Sequence, residues 1–135
     1  MQERPHNASR RRRPLWAALA LLVAGAAGGH HSLAAYDRDH LRVLSGVVRQ
    51  YRFMNPHVRI SMAVPDGTGG ERVWELEGAT ASLALKQGLD AHTLRAGQRV
   101  SVEIAPRKDG TDGGEWQRIL EIDGRPFRPR ARAWP

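Results

Sequence analysis

Histidine is the residue type in this sequence with the clearest capacity for chemistry. His30 and His31 are adjacent in the stretch "GGHHSLAAYD", and His57 directly follows the turn-forming pair Asn55–Pro56. Neutral imidazole is a good ligand for copper, zinc and nickel. The sequence therefore predicts a metal site held by His30, His31 and His57, with copper as the most concrete ligand. The alternative is that His57 is an ordinary exposed strand residue.

The residues ahead of these histidines have the layout of a secretory signal peptide. The basic cluster Arg10–Arg13 precedes an uncharged apolar run of thirteen residues, Leu15–Ala27. A membrane-spanning helix needs roughly 20 apolar residues, whereas a shorter run behind a basic block and ending in small residues is typical of a cleaved leader. We expect residues 1–27 to be a signal peptide, removed by either the general or the twin-arginine route, and no transmembrane span in the mature chain.

The cleavage position decides which copper chelate forms. Cleavage after Ala27 would leave Gly-Gly-His at the new N-terminus, where the amine, two backbone amides and the His30 ring suit square-planar Cu(II). Cleavage after Gly29 would make His30 the first residue, so that its amine and ring chelate one metal and a second histidine completes the site. The sequence leaves these cuts open, along with one after Ala26.

Charge is concentrated at the two ends of the chain. The net charge is +7, with five arginines and one glutamate in residues 1–27 and four arginines in the Pro/Arg-rich tail 125–135. Residues 28–124 therefore carry a net charge of −1, which argues against a basic nucleic-acid face on the folded part. The tail is expected to be disordered, although it keeps open a polyanion-binding alternative. The chain has no cysteine, so a disulfide or a thiolate ligand is excluded.

From Leu41 onward the apolar residues alternate, which is typical of strands. Five strands are predicted from "LRVLSGVVRQY", "HVRISMAV", "ERVWELEG", "RVSVEIAP" and "EWQRILEI". The first is expected to bulge at Gly46 and to point Val43 and Val47 inward. In the fifth, Trp116, Leu120 and Ile122 are expected on the inner face.

One short helix interrupts the strands. The segment "TASLALKQG" begins with Thr80, which can cap the first turn, and ends with Gly88, which can stop the last; Leu83 and Leu85 are expected in the core. Three strands, a helix and two strands predict a small five-stranded barrel of the oligonucleotide/oligosaccharide-binding (OB) type over residues 41–124. Residues 28–40 form a lead-in segment, and we expect a monomer.

Other residue types suggest weaker alternatives. Glu75 and Glu77 lie on one strand face at a spacing compatible with two-carboxylate catalysis, so a small enzyme using them with a histidine is the alternative reading. Trp74 and Trp116 could stack a ligand ring, but alternating strand positions favour core packing. The leading interpretation is a binding protein rather than an enzyme.

Several of these stretches together resemble a known family. "HHSLAAYD", "LSGVVRQYRFMNPHVRI", "WELEG" and "LRAGQRVSVEIAPRKDG" are similar to segments of a family of small exported bacterial proteins of unknown function. The resemblance covers roughly residues 30–125 and implies a periplasmic location. It also implies a possible shared site that extends beyond the histidines to Tyr36, Asp37, Asn55, Pro56, Trp74 and Glu75.

Overall fold

The computed structural model describes residues 34–129, so the predicted signal peptide and the candidate ligands His30 and His31 lie outside the described residues. The described part is mainly β, with one short helix between the third and fourth strands. Its elements are β1 (Arg42–Arg52), β2 (Arg59–Pro65), β3 (Glu71–Glu77), α1 (Ala81–Lys86), β4 (Arg99–Pro106), β5 (Gly113–Ile122) and β6 (Arg125–Pro126).

The first five strands close into a barrel. The strand order is β3-β2-β1-β4-β5-β6, and a further parallel pairing joins β3 to β5, with Glu75 opposite Gly113. This closure removes the open edges of the sheet and confirms the predicted OB-like barrel. The core fills the inside of the barrel and includes Val58, Ile60, Met62, Leu76, Val102 and Ile104, each at most 1% exposed.

The inward face of β1 differs from the prediction. Val43 is 61% exposed and Val48 is 1% exposed, so the inward positions are one residue later than expected. The bulge also lies elsewhere, because the register against β2 jumps between Val48 and Gln50. Gly46 serves a different purpose: a Cβ there would overlap the backbone carbonyl of Ala63, so the two strands need a glycine at their crossing.

Two bulges also change the inward face of β5. The register against β4 shifts twice, so Ile104, Val102 and Val100 lie opposite Trp116, Ile119 and Ile122. These three β5 residues belong to the core or pack against it. Their spacing is three rather than two, because each bulge adds one residue. The prediction was right for Trp116 and Ile122 but wrong in choosing Leu120 over Ile119 for the buried position.

Helix α1 begins and ends where the sequence predicted. The Thr80 hydroxyl accepts a hydrogen bond from the Leu83 backbone N–H at 3.2 Å, and Gly88 takes a positive φ of 81° after the last turn. The buried residue of the helix is Ala84, while Leu83 is 48% exposed. A helix of six residues presents only a narrow stripe to the barrel, so Leu83 lies outside it.

The start of the tail joins the barrel. Asp123 and Gly124 both have positive φ, as a tight two-residue hairpin turn requires. They turn the chain back so that Arg125–Pro126 pairs with the end of β5. Phe127 then donates a backbone hydrogen bond to the Leu120 carbonyl at 2.7 Å and packs against the core. These first tail residues, assigned by sequence to the disordered end, therefore have a fixed place in the structure.

Candidate functional site

Residues 35–37 of the lead-in segment are hydrogen-bonded to the chain at the end of β4. The Asp37 N–H donates to the Pro106 carbonyl at 2.8 Å, and the Lys108 N–H donates to the Ala35 carbonyl at 2.9 Å. Tyr36 lies between them in an antiparallel bridge with Arg107. The chain that carries the N-terminal histidines therefore enters the fold at the end of β4.

Tyr36 anchors this entry point. Its side chain is 8% exposed and lies beside the Glu77 carboxylate and the Arg107 guanidinium. Burial raises the pKa of the Tyr36 phenol, and the neighbouring Glu77 carboxylate raises it further. The Arg107 guanidinium lies across Gly113, where any Cβ would collide with it. The sequence predicted Tyr36 as an anchor but did not predict a role for Arg107. The sequence feature that goes with Arg107 is the glycine at position 113 on the neighbouring strand, which leaves room for the guanidinium.

The next residues of the lead-in segment are held by their own ion pairs. Asp37 accepts hydrogen bonds from the backbone N–H groups of Asp39 and His40, and its carboxylate lies 3.0 Å from the His40 Nδ1. Arg38 makes a two-pronged ion pair with Glu115 on β5, with N–O distances of 2.7 and 2.8 Å. Asp37 therefore acts in a local turn, and Arg38 holds the segment to the outside of the barrel.

His57 lies in the connection between β1 and β2. The sequence predicted that the second strand begins at His57, whereas β2 begins two residues later, at Arg59. The ring is half-buried, and its Nδ1 is 3.0 Å from the backbone carbonyl oxygen of Gly78. A carbonyl oxygen only accepts hydrogen bonds, so Nδ1 carries the proton. The neutral ring therefore has its lone pair on Nε2, the state in which histidine binds metals.

Asn55 supports the fold close to His57. Its side-chain oxygen accepts a hydrogen bond from the Ala81 N–H at 3.2 Å, so it binds one of the free donors at the start of α1. The Asn55–Pro56 peptide bond is cis. The structure thus places Asn55 at the helix start, with its side-chain oxygen engaged there.

Trp74 and Glu75 face opposite sides of β3. Trp74 packs against the core from inside the barrel, as the alternation predicted. Glu75 is exposed on the outside and accepts a hydrogen bond from the Ser61 hydroxyl at 2.6 Å. Glu77 points to the same outer face but lies beside Tyr36. The two glutamates therefore have separate partners, and Trp74 is not part of their surface.

The proposed shared site is thus only partly assembled in the described structure. Tyr36 lies beside the Glu77 side chain, and His57 contacts the backbone carbonyl of the next residue, Gly78. Among residues 34–129, no group of three or more histidine or carboxylate side chains is arranged to hold a metal ion. Within the same range, no helix has the length and apolar character needed to cross a membrane.

Sequence reasoning missed the outer face of β1, β2 and β3. Arg52 and Arg59 are register partners there, next to the pair formed by Gln50 and Ser61. Ser61 in turn lies opposite Glu75. The alternation of residues in β2 predicted which of its sides is polar. The register of β2 against β1 and β3, which brings these polar side chains onto one surface, cannot be predicted from the alternation.

The closed barrel and the short helix between β3 and β4 place this chain among small OB-like β-barrel proteins. Comparison with protein families places residues 18–117 within DUF6152, a family of unknown function. The chain belongs to this family, which covers most of its length.

Comparisons with individual proteins add little to this assignment. No curated protein matches the sequence significantly. Among solved structures, the mitochondrial single-stranded DNA binding protein Rim1 from S. cerevisiae is similar with a TM-score of 0.47 and 12% sequence identity. The match covers 62% of this chain and 92% of that chain.

Proposed function

We propose that this protein is exported to the periplasm and acts there as a copper-binding accessory protein. The ligands are the N-terminal histidines His30 and His31 together with His57. The observation that carries the proposal is the hydrogen bond from His57 Nδ1 to the Gly78 carbonyl. Metal-binding histidines in proteins almost always donate their second ring N–H to a carbonyl or carboxylate in this way.

The surroundings of His57 support a ligand role. The contact with Gly78 fixes both the ring orientation and the tautomer, so that Nε2 is the free nitrogen. Gly78 itself is held in place, because its N–H donates to the Val58 carbonyl at 2.9 Å. A ligand fixed in this manner loses little conformational freedom when it binds a metal, which favours affinity.

The anchoring of Tyr36 supports the choice of the N-terminal histidines as ligands. Tyr36 lies beside Glu77, and the next residue along β3 is the Gly78 that holds His57. His31 precedes Tyr36 by five residues, which span at most about 17 Å when extended. Only a short stretch of chain therefore separates His31 from a residue that is docked on the barrel.

The cleavage position sets the role of His57 in this proposal. If His30 becomes the first residue, its amine and ring supply two ligands and His57 supplies another. If the mature chain begins Gly28-Gly29-His30, the terminal chelate is complete without His57. Because Cu(II) prefers square-planar nitrogen ligands, both arrangements suit it, and only the first needs the barrel.

The experiment starts from protein recovered from the periplasm, whose N-terminal residue is identified by sequencing. Cu(II) binding is then titrated and followed by electron paramagnetic resonance, which reports the nitrogen ligands. We expect one equivalent of tightly bound Cu(II), with affinity at least about tenfold lower in His57→Ala. The matched control is His92→Ala, since His92 is exposed in a different loop, and it should leave the affinity unchanged.

Three results would contradict parts of the proposal. Recovery of the intact chain from the cytosol would remove the export step. Processed protein that takes up no Cu(II) would remove the copper function. Equal affinities in His57→Ala and the parent protein would remove His57 from the site and leave only a terminal Gly-Gly-His chelate.

A further inference from the structure

Two arginines stand opposite each other on the outside of the barrel. Arg52 on β1 and Arg59 on β2 are direct partners in the antiparallel register. Their chain neighbours Tyr51 and Ile60 belong to or pack against the core, so both arginine side chains lie on the outer face. Both residues are exposed. Like charges placed directly opposite each other in a sheet destabilise it.

Some arginines on other strand positions pair with carboxylates, and in the described part of the chain Arg52 and Arg59 do not. Arg49 pairs with Glu71 at 3.2 Å, and Arg118 pairs with Glu103 at 2.9 Å. Within residues 34–129, neither Arg52 nor Arg59 has a carboxylate within ion-pair distance. Glu77 is the register partner of Arg59, but its carboxylate lies beside Tyr36.

The two arginines line a small polar cleft with Gln50, Ser61 and Glu75, with a volume of about 130 Å³. This space suits one small charged group rather than an extended chain. The Ser61 hydroxyl is already donated to Glu75, so the free donors are the two guanidinium groups and the Gln50 amide. Glu75 still has lone pairs that can accept a hydrogen bond from a neighbouring hydroxyl group.

We propose that this cleft, hereafter the arginine cleft, binds the oxyanion of a small hydroxylated ligand, either a phosphate monoester or a carboxylate. Guanidinium groups recognise both through two parallel N–H donors. The oxyanion lies between Arg52 and Arg59 and removes their mutual repulsion, while Glu75 accepts from an adjacent hydroxyl. The site uses none of the histidines and is therefore independent of the copper proposal.

Binding is tested by NMR titration of the protein, whether or not it is processed, with three probes, namely inorganic phosphate, glucose 6-phosphate and glucuronate. Saturable shifts of the backbone amides of Gln50, Arg59 and Ser61 are expected with phosphate. A tighter response to glucose 6-phosphate than to phosphate identifies a phosphate monoester, and a tighter response to glucuronate identifies a carboxylate. If none of the three gives saturable shifts at these residues, the proposal is wrong.

Variants that remove one positive charge distinguish a specific anion-binding site from general electrostatic attraction to the protein. Arg52→Gln and Arg59→Gln should each weaken phosphate binding at least about tenfold. The matched control Arg42→Gln removes the same charge from an exposed position on the same strand and should change the affinity less than about twofold. Equal losses in all three variants would show that only net charge attracts the anion, and would overturn the proposal.

A second readout is the thermal stability of the free protein. Arg59→Gln should raise the melting temperature without phosphate, because it removes a like-charge pair. Saturating phosphate should raise that of the parent chain and not that of the variant. Arg59→Lys keeps the positive charge but loses the two parallel N–H donors of the guanidinium, so it should bind phosphate more weakly than the parent. If phosphate stabilises the parent chain and Arg59→Gln equally, the proposed site is wrong. Cu(II) uptake is the control and should be unchanged in every variant.

Discussion

The indole ring of Trp116 lies directly against the backbone of Gly78. A Cβ atom on Gly78 would overlap the ring, and the ring itself is 4% exposed. The indole N–H donates to the Val58 carbonyl at 3.1 Å, and the Gly78 N–H donates to the same oxygen. The Val58 carbonyl thus links β5 to the segment after β3. It also fixes Gly78, whose own carbonyl accepts the hydrogen bond from His57.

Gly78→Ala should destabilise the fold strongly. The added methyl group forces either the buried Trp116 ring or the backbone to move, and overpacking of this kind costs about 1–3 kcal/mol. The free energy of unfolding is measured from urea denaturation followed by tryptophan fluorescence. Because the carbonyl of residue 78 moves with the backbone, the His57 side-chain resonances should shift as well.

The control for this substitution is Gly70→Ala. There the added Cβ meets only the carboxylate of Asp66 in an exposed loop, and the nearest atom is Oδ2 rather than the Oδ1 that accepts the loop hydrogen bonds. We expect a change of less than about 1 kcal/mol. Similar losses in the two variants would mean that the contact with Trp116 is not what requires glycine at position 78.

Asn55→Ala tests whether Asn55 belongs to a ligand site or to the helix start. Its oxygen accepts from Ala81 at 3.2 Å, so the substitution leaves a helix N–H without its partner and should cost about 1 kcal/mol of stability. Copper affinity should be unchanged, because the side chain faces α1. Stability is read from thermal denaturation and affinity from the Cu(II) titration.

Thr80→Ala provides the comparison, since Thr80 caps the same helix through Leu83. It should lower stability by a similar amount and also leave copper binding intact. If Asn55→Ala weakens copper binding while Thr80→Ala does not, Asn55 contributes to the site as the family resemblance suggested.

The order of strands and helix was predictable because each element has a local signal in the sequence. Strict alternation in β2 placed Ile60 and Met62 inside, and both are fully buried. The Thr80 cap and the Gly88 stop bounded the helix correctly. These features depend on residues close in the chain, which a sequence displays directly.

The errors lie where the local period breaks. A bulge after Val48 in β1 and two bulges in β5 each shift the inward face by one residue. The sequence has no marker for them, because a bulge is fixed by the closure of the barrel rather than by its own residues. Choosing Leu120 for the core followed from assuming an unbroken period of two, whereas Val43 was assigned to the wrong face before the bulge, where Leu44 and Val48 point inward.

The candidate site was predictable only as single residues. His57 and Tyr36 were both singled out, yet the contact of His57 with Gly78 and that of Tyr36 with Glu77 depend on the folded barrel and on docking of the segment around Tyr36. The facing pair of Arg52 and Arg59 depends on the register of β1 against β2. Long-range pairing of this kind requires the folded structure.

The two tyrosines of the chain should ionise only when the protein unfolds. Burial raises the pKa of Tyr51 from 10.0 to about 12, and burial also raises the pKa of Tyr36. Because the folded-state values exceed the unfolded ones, this contribution to stability is complete below pH 10 and is lost as the pH rises toward 12. Tyrosinate absorbance and circular dichroism, followed together during alkaline titration, should change at the same pH.

Tyr51→Phe separates the two groups. It leaves Tyr36 as the one remaining phenol, so the alkaline loss of stability becomes less steep. At neutral pH it also loses the hydrogen bond from the Tyr51 hydroxyl to the Asp90 carbonyl, 3.1 Å long, at a cost of about 1 kcal/mol. Ionisation of both phenols near pH 10 with the fold intact would contradict their burial.

Tyr36→Ala should impair both stability and copper binding. The side chain is buried, so its removal leaves a cavity that costs about 2–4 kcal/mol. The lead-in segment also loses its anchor beside Glu77, which lowers the effective concentration of the N-terminal histidines at His57. Tyr36→Phe keeps the ring and should cost about 1 kcal/mol, with copper affinity close to that of the parent chain. Cu(II) titration at a temperature where both variants are folded gives the comparison. Equal affinities in Tyr36→Ala and Tyr36→Phe would show that the docked segment does not bring the two halves of the copper site together.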